Sequence, residues 1–308
     1  MSKYDVFTIG DSCVDMILRG KDIVPEFNQK EKMFEDYNIV MGGSTLIFAS
    51  QCGRLGLKTV VAGKIGKDPF GDIILSTLRK SRVCTDYMIA SEELKTGVTV
   101  ALCKENDRAM LTYSGTIDAM KPEDIPWDVL EQSRHLHIGS YFLLKSVQKC
   151  FPDMIDCIHK NKGTVSLDTN WDPEEKWESG LKDILSKIDV FFPNENEAIA
   201  ITGESSAEKA INILKDNIPV VAVKLGPKGA ITYYKGESVF SPSIDVPKVD
   251  AVGAGDSFDA GFVYGYITGE DIKTCTRMGN ITGSLNIRGE GGTQTQPFYD
   301  EFIKYLEK

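Results

Sequence analysis

The sequence predicts an α/β fold: a three-layer, doubly wound, mostly parallel sheet with helices on both faces and a small inserted β-sheet lid. Three observations lead there. Short β-type runs alternate with longer patterns of helical spacing along nearly all 308 residues, the rhythm of parallel βαβ units. Two stretches, about 14–40 and 95–114, interrupt that rhythm with extended segments. No Ser/Gly-rich linker, repeat or low-complexity run divides the chain, so residues 1–308 are expected to form one domain.

Taken in order, VFTI at 6–9 is a β-type apolar run and reads as the first strand. Residues 14–40, with Pro25 and several charges, read as extended and belong to the lid. Helical spacing resumes over 45–55 and stops at Gly56, the residue type that closes helices in the left-handed conformation. A strand follows at 59–62 and a helix at 70–80. KTGVTVALCKENDRAMLTYS at 95–114 holds too many β-branched and turn residues for a helix interior. It reads as two strands around a Glu-Asn-Asp turn. Beyond it come a strand at 135–138, a helix at 146–160 and strands at 164–167 and 190–192. Helices at 195–201 and 207–215 lead to a strand at 220–224, and three helical patterns close the chain.

Composition narrows the function classes. Hydrophobic residues make up 42% and charged residues 26%, a balance that fits a folded globular chain and not a disordered one. The net charge of −10 argues against nucleic acid as a partner, because phosphate backbones need basic patches. No run approaches the roughly 18–20 apolar residues of a membrane span. The first residues lack the basic start and cleavage site of a signal peptide. Seven cysteines without a C-x-x-C fit reduced thiols, so a cytoplasmic location is expected. Cys150, Cys157 and His159 lie near each other in sequence but at no zinc spacing.

Ligands of such folds bind beyond the carboxyl ends of the strands, and the candidate residues gather there. Neither G-x-x-x-x-G-K-[ST] nor G-x-G-x-x-G occurs, and GRLGLKT at 53–59 has the wrong spacing for a phosphate loop. A dinucleotide oxidoreductase is thereby disfavoured. What remains is DAVGAGDSFDAGF at 250–262, glycines opening a helix with a carboxylate directly behind them. Asp256 there is either an ordinary helix-start aspartate or a proton acceptor beside an anion site built from the N–H groups of Gly253, Ala254 and Gly255. Gly42 and Gly43 open another helix, as a plain turn or as a close approach to a ligand. Asp11 and Asp15 follow the first strand, where a small-molecule site belongs, although Asp15 also fits a solvated strand. Asn194 and Glu197 have capping-box spacing and also suit a carboxylate near phosphate and metal.

Together these stretches resemble the ribokinase-like (PfkB) carbohydrate kinase family over nearly the whole chain. DAVGAGDSF at 250–258 is similar to its D-T-x-G-A-G-D-x-F signature, and GGSTLIFASQCGRLG at 42–56 to its Gly-Gly helix ending in R-L-G. GDSCVD at 10–15, NENE at 194–197 and VKLGPKG at 223–229 follow in the family's order. The resemblance implies that Asp256 is the general base that takes a proton from a substrate hydroxyl as it attacks the γ-phosphoryl group of ATP. It implies an anion hole at Gly253, Ala254 and Gly255, and sugar contacts from Asp11, Asp15, Gly42, Gly43 and Asn170. Asn194 and Glu197 would organise Mg²⁺ and phosphates, Glu197 indirectly. Lys224, Gly226 and Gly229 would line the ATP site, with Asn280 near the adenine. A monovalent cation, K⁺, would sit at Asp250, Val252, Asn286, Gly289, Gly291 and Thr295.

Two departures stand out. Ile47 replaces an asparagine that often touches the sugar. In DTNWDPEEKW at 168–177, Asp172 stands where an arginine is common. Trp171, Tyr141 and Phe142 then offer either stacking surface or ordinary core. The reading is an ATP- and Mg²⁺-dependent kinase that phosphorylates a hydroxyl of a small sugar or related polyol, paired through its lid as a homodimer. Sugar phosphates are disfavoured, since Asp11 and Asp15 would meet a second phosphate with like charge. A nucleoside kinase and a catalytically silent sugar-binding regulator are the alternatives.

Overall fold

The structure, a computed structural model, describes residues 2–104 and 107–308, and of residue 107 the backbone alone. Strand β1 (Tyr4–Ile9) leads through Gly10 into β2 (Cys13–Arg19) and β3 (Asp36–Met41). Helix α1 (Ser44–Arg54), β4 (Thr59–Gly66), α2 (Pro69–Lys80) and β5 (Cys84–Ser91) follow. A hairpin of β6 (Gly97–Lys104) and β7 (Asp107–Tyr113) precedes α3 (Trp127–Glu131), β8 (Ser133–Ile138), α4 (Phe151–Lys160) and β9 (Thr164–Leu167). Next come α5 (Leu181–Leu185), β10 (Val190–Phe191), α6 (Glu195–Thr202), α7 (Ala207–Leu214) and β11 (Val220–Lys224). The chain ends with β12 (Ala230–Tyr234), β13 (Glu237–Ser241), α8 (Ala254–Thr268), α9 (Ile272–Asn286) and α10 (Tyr299–Leu306).

A nine-stranded sheet has the order β13-β12-β11-β10-β9-β8-β1-β4-β5. Pairing is parallel from β5 through to β11, and β12 and β13 add an antiparallel edge. Strand residues alternate between two buried faces, which is why the strands read as nearly continuous apolar runs. Phe7, Ile9, Leu136, Ile138, Val165, Leu167 and Phe191 pack beneath Phe151, Met154, Ile155 and Ile158 of α4. On the opposite face Val6, Val190, Phe192, Val220 and Ala222 meet Phe48 of α1 and Phe258 and Phe262 of α8. Each large apolar side chain so buried is worth about 1.5–3 kcal/mol. The predicted three layers are present.

The smaller sheet has the order β3-β2-β6-β7, with β2 antiparallel to β3 and parallel to β6. Strand alternation places Val14, Met16 and Leu18 on one face and Asp15, Ile17 and Arg19 on the other. Val14, Ile39, Met41 and Val98 pack toward Ile74 and Leu78 of α2, which fixes the sheet's register on the larger body. Thr116 clasps the crossing point: its hydroxyl donates to the Ser12 carbonyl and accepts from the Gly97 N–H, both at 3.1 Å.

Differences from the expected elements have local causes. The helix expected at 146–160 begins at Phe151, after a 3-10 turn at Gln148–Cys150. Pro152 explains the delay, because proline is tolerated only in a helix's first turn. Of the extended stretch 14–40, residues 20–35 form neither helix nor strand. Glu105 and Asn106 of the expected hairpin turn lie outside the described residues. Strands β5, β12 and β13 and the five-residue helices α3 and α5 were not anticipated; all are short or half-exposed, with weak periodicity.

Candidate active site

The carboxyl ends of β1, β8, β9, β10 and β11 converge on the N-termini of α1 and α8. At the second of these, Gly253 is the N-cap of α8 with φ +72°, a left-handed conformation that glycine adopts without cost. A side chain there would also meet Gly292 Cα at 2.7 Å and Ile47 Cγ2 at 2.9 Å. Ala254 and Gly255 follow as the first helical residues; the Ala254 N–H donates to the Ala251 carbonyl at 3.3 Å, and that of Gly255 has no partner within the helix and favours an anion. Asp256 is buried in the same turn and accepts a hydrogen bond from the Ser44 hydroxyl of α1. Burial, and then the charge of Asp168, pushes its carboxyl up to about 7. That range suits a group that must both take up and release a proton near neutrality.

Directly behind Asp256 lies a cluster of buried charge. Lys224, at the end of β11, places Nζ 2.6 Å from Asp168 Oδ2 and 3.2 Å from Asp259 Oδ1. The same ammonium lies 3.3 Å from where a Cβ on Gly255 would sit, so Lys224 stands immediately under the glycine turn. Glu197, buried on α6, is pushed up to about 7 by burial and by Asp168. Asn194 and Glu197 form the capping box their spacing suggested: Asn194 Oδ1 accepts from Glu197 N at 3.0 Å, and Glu197 Oε2 from Asn194 N at 2.8 Å. The pair therefore caps α6 while its carboxylate faces the charge cluster.

At the start of α1, Gly42 packs against Asp15: a Cβ on Gly42 would lie 2.5 Å from Asp15 Oδ1. Gly43 has φ +82° and abuts the Asp11 carbonyl, leaving no room for a side chain. The Asp15 carboxyl is raised to about 6 by burial and by Asp11, while Arg108 pulls the other way. Asp11 calls for a correction. It is only 3% exposed, and its oxygens accept from Ser44 N at 2.9 Å, Thr45 N at 3.0 Å and Ser140 Oγ at 2.6 Å. It caps α1 from the loop after β1 and has little surface left for a sugar hydroxyl. Asn170 extends this network, its Nδ2 donating to Ser140 Oγ at 2.9 Å.

Both departures from the family pattern acquire a structural account. Ile47 is buried against Gly253 and Gly292, so it shapes the glycine turn through apolar contact. Asp172 presents no free charge: it is 4% exposed and accepts from the N–H groups of Glu174, Lys176 and Trp177 at 2.8–2.9 Å. Tyr141 and Phe142 are core. Trp171, 46% exposed, stacks edge-on against Trp177 at 5.0 Å and alone of the three offers free aromatic surface.

On the other side of the glycine turn lies a cavity of about 490 Å³, lined by Lys224, Gly226, Gly229, Gly255 and Asn280 together with apolar walls from Ile244, Val246 and Ile287. Asn280 donates to the Ser241 carbonyl at 2.8 Å, which holds β13 against α9. The residues expected to hold a monovalent cation also lie together. Asp250 accepts from Val252 N and Gly291 N at 3.1 Å each. Asn286 donates to the Val252 carbonyl at 2.9 Å, and Thr295 to the Asn286 carbonyl at 2.6 Å. Asn286 Oδ1 is buried without a hydrogen-bond partner. Gly289 adjoins the side chain of Thr295. The smaller sheet closes on this loop through Arg19 and Asn38, both against Glu290 at 3.2–3.3 Å.

Sequence reasoning missed Asp259, Ser44 and Ser140. Asp259 had a usable signal, lying one helical turn beyond Asp256 and hence on the same face. Ser140 had none, because only the parallel pairing of β8 with β1 brings it to Asp11.

Comparison with known proteins bears on the family and the fold. A family model described as "pfkB family carbohydrate kinase" matches residues 3–298. A sugar kinase of Archaeoglobus fulgidus, itself uncharacterized, is 29% identical over 79% of this chain and 97% of its own length. A 5-dehydro-2-deoxygluconokinase of Listeria monocytogenes is 26% identical over 99% of this chain and 96% of its own. The structure of Arabidopsis thaliana ribokinase complexed with ribose and ATP superposes with a TM-score of 0.86 at 20% identity, covering all of both chains. The chain belongs to the pfkB family of carbohydrate kinases.

Proposed function

We propose that the protein transfers the γ-phosphoryl group of ATP to a hydroxyl of a small sugar, sugar acid or related polyol, with Asp256 as the general base. One observation carries this reading. A buried carboxylate stands in the first turn of α8, hydrogen-bonded to Ser44 at the start of α1, beside Ala254 and Gly255, which line the cavity. The base takes the proton as the hydroxyl oxygen attacks. The N–H groups of the Gly253–Gly255 turn meet the charge that develops on the transferring phosphoryl. Asp15, set against Gly42, accepts hydrogen bonds from sugar hydroxyls and orients the attacking one. Asp11 and Asn170 act behind it by fixing the start of α1 and the Ser140 loop.

The residues present fit the implied cofactors. The cavity has apolar walls for a base and, at Gly255 and Lys224, a positively polarised end for phosphates. Glu197, with Asn194, would hold Mg²⁺ through its waters; the ion, when bound, neutralises charge on the phosphates. Asp250, Val252, Asn286, Gly289, Gly291 and Thr295 would take K⁺, for which the unpartnered Asn286 Oδ1 is a ready ligand. The smaller sheet serves as a lid on the same unit, and its exposed strands pair with a second copy. ADP release screened over free sugars, sugar acids, polyols and nucleosides tests the reading. Turnover with a sugar or sugar acid supports it. Turnover with nucleosides alone favours a nucleoside kinase, and sugar binding without turnover a silent regulator.

A further inference from the structure

Two carboxylates and one ammonium are buried together behind the proposed base. Oxygens of Asp168, Asp256 and Asp259 lie within 4.8 Å of one another, and Lys224 Nζ reaches both Asp168 and Asp259. Buried ion pairs are weak stabilisers, because desolvation offsets their attraction, and well-packed apolar residues do as well or better. Stability alone therefore does not account for the cluster. Its position does: Lys224 lies directly beneath Gly255, and Asp259 is one helical turn behind Asp256 on α8.

We propose that Lys224, Asp168 and Asp259 are positioning residues that fix the charge experienced by Asp256 and by the glycine turn, Lys224 favouring the ionised base and Asp168 opposing it. The inference rests on Asp256 as the base. Two carboxylates facing one ammonium cannot both ionise cheaply in a dry site. Burial drives Asp259, which is 0% exposed, well above the ordinary carboxylate range. Burial alone would raise Asp168 too, but the Lys224 charge and a hydrogen bond from Asp259 hold it below its usual value. Burial would lower Lys224, yet Asp168, Asp259 and Glu197 keep it protonated. The cluster thus carries one ion pair and one neutral acid. Facing Asp256 are Asp168 from the β9 loop, Lys224 from β11, Asp11 from the β1 loop and the Ser44 hydroxyl of α1. Asp259 faces it from its own helix. Glu197 of α6 acts on Asp168 and Lys224.

The pH profile of kcat tests this with opposed variants. Removing the ammonium in Lys224→Met moves the acid limb up by about one pH unit, whereas Asp168→Asn moves it down by about one. Asp259→Asn leaves the limb in place, because the acid it replaces is uncharged. KM for ATP rises in Lys224→Met and not in Asp259→Asn. Limbs that shift the same way in the first two variants, or do not shift, overturn the proposal. If Lys224→Met does not fold, the charge-balanced double variant Lys224→Met/Asp168→Asn replaces it: its limb must lie above that of Asp168→Asn alone, and coincidence of the two overturns the proposal. Asp256→Asn separates the two readings. Near-normal kcat in that variant removes the base itself, whereas lost kcat with unmoved limbs removes only the role of the cluster.

Discussion

Asp256 shows what a buried carboxyl costs its own protein. Its carboxyl, near 7 in the fold against an ordinary value of 3.8, is raised on folding. Such a group stabilises the fold below pH 3.8, and that contribution is lost as pH rises through about 7. At pH 8 the wild type carries a buried negative charge that an amide would not. Asp256→Asn is therefore expected to raise Tm at pH 8 by more than at pH 5, and calorimetry that finds the reverse order contradicts the sign. Asp15 gives the second prediction at this scale. If it binds sugar hydroxyls, Asp15→Ala costs about 1.5–3 kcal/mol per charged hydrogen bond lost, mainly in the sugar's kcat/KM. KM for ATP stays within a few-fold, and equal losses toward both substrates would remove Asp15 from the site. Asp256 and Asp15 are singled out in the sequence because each follows a glycine-marked turn. Asp11 is singled out for the same reason, but only the packed loop shows its oxygens accepting from Ser44, Thr45 and Ser140.

Among elements, β8 and β9 are joined by more than their ladder. Ser166 Oγ lies 2.8 Å from both His135 Nε2 and His137 Nδ1, and Thr164 Oγ1 lies 2.8 Å from His135 Nδ1. Burial lowers both histidines to about 3, so the sheet holds them neutral. The unfolded value is near 6.5, so their contribution is complete above pH 6.5 and is lost as pH falls toward 3. Ser166→Ala leaves two ring nitrogens short of a partner and is expected to lower stability by about 1–3 kcal/mol for each in urea unfolding at pH 7. An unchanged midpoint would show that the ring nitrogens find other partners. Neither histidine drew notice in the sequence, since a polar residue in a strand reveals no partner until register is known. Long amphipathic helices and central strands were readable from periodicity. The β12–β13 hairpin was not. Its turn at Lys235 (φ +48°) and Gly236 (φ +93°) has the positive φ values of a type I′ turn, yet lysine is not the residue that announces one.

Across the whole molecule, the two sheets explain why the proposed catalytic residues come from so many places in the chain. The larger sheet brings five strand ends to one line, and the smaller one folds Asp15 over them. The face of the small sheet that packs Val14 and Val98 toward α2 also leaves Tyr37, Leu111 and Tyr113 exposed, Leu111 at 67%, all on that side by register. Exposed strands with such a face invite pairing. Light scattering at micromolar concentration is expected to report twice 34.0 kDa, and Leu111→Glu to return the monomer. A wild-type monomer would count against pairing and leave the lid itself intact. The alternation of strands and helices was visible because it is periodic, and the lid because it broke that period. The face a lid turns to its partner is a matter of register, which no periodicity in this sequence announced. The most direct test of the account is kcat for Asp256→Asn, measured at pH 8 with the best substrate from the ADP-release screen. The account predicts a fall of roughly 10²- to 10⁴-fold with KM for ATP nearly unchanged, and a variant that keeps more than about a tenth of wild-type kcat would contradict it.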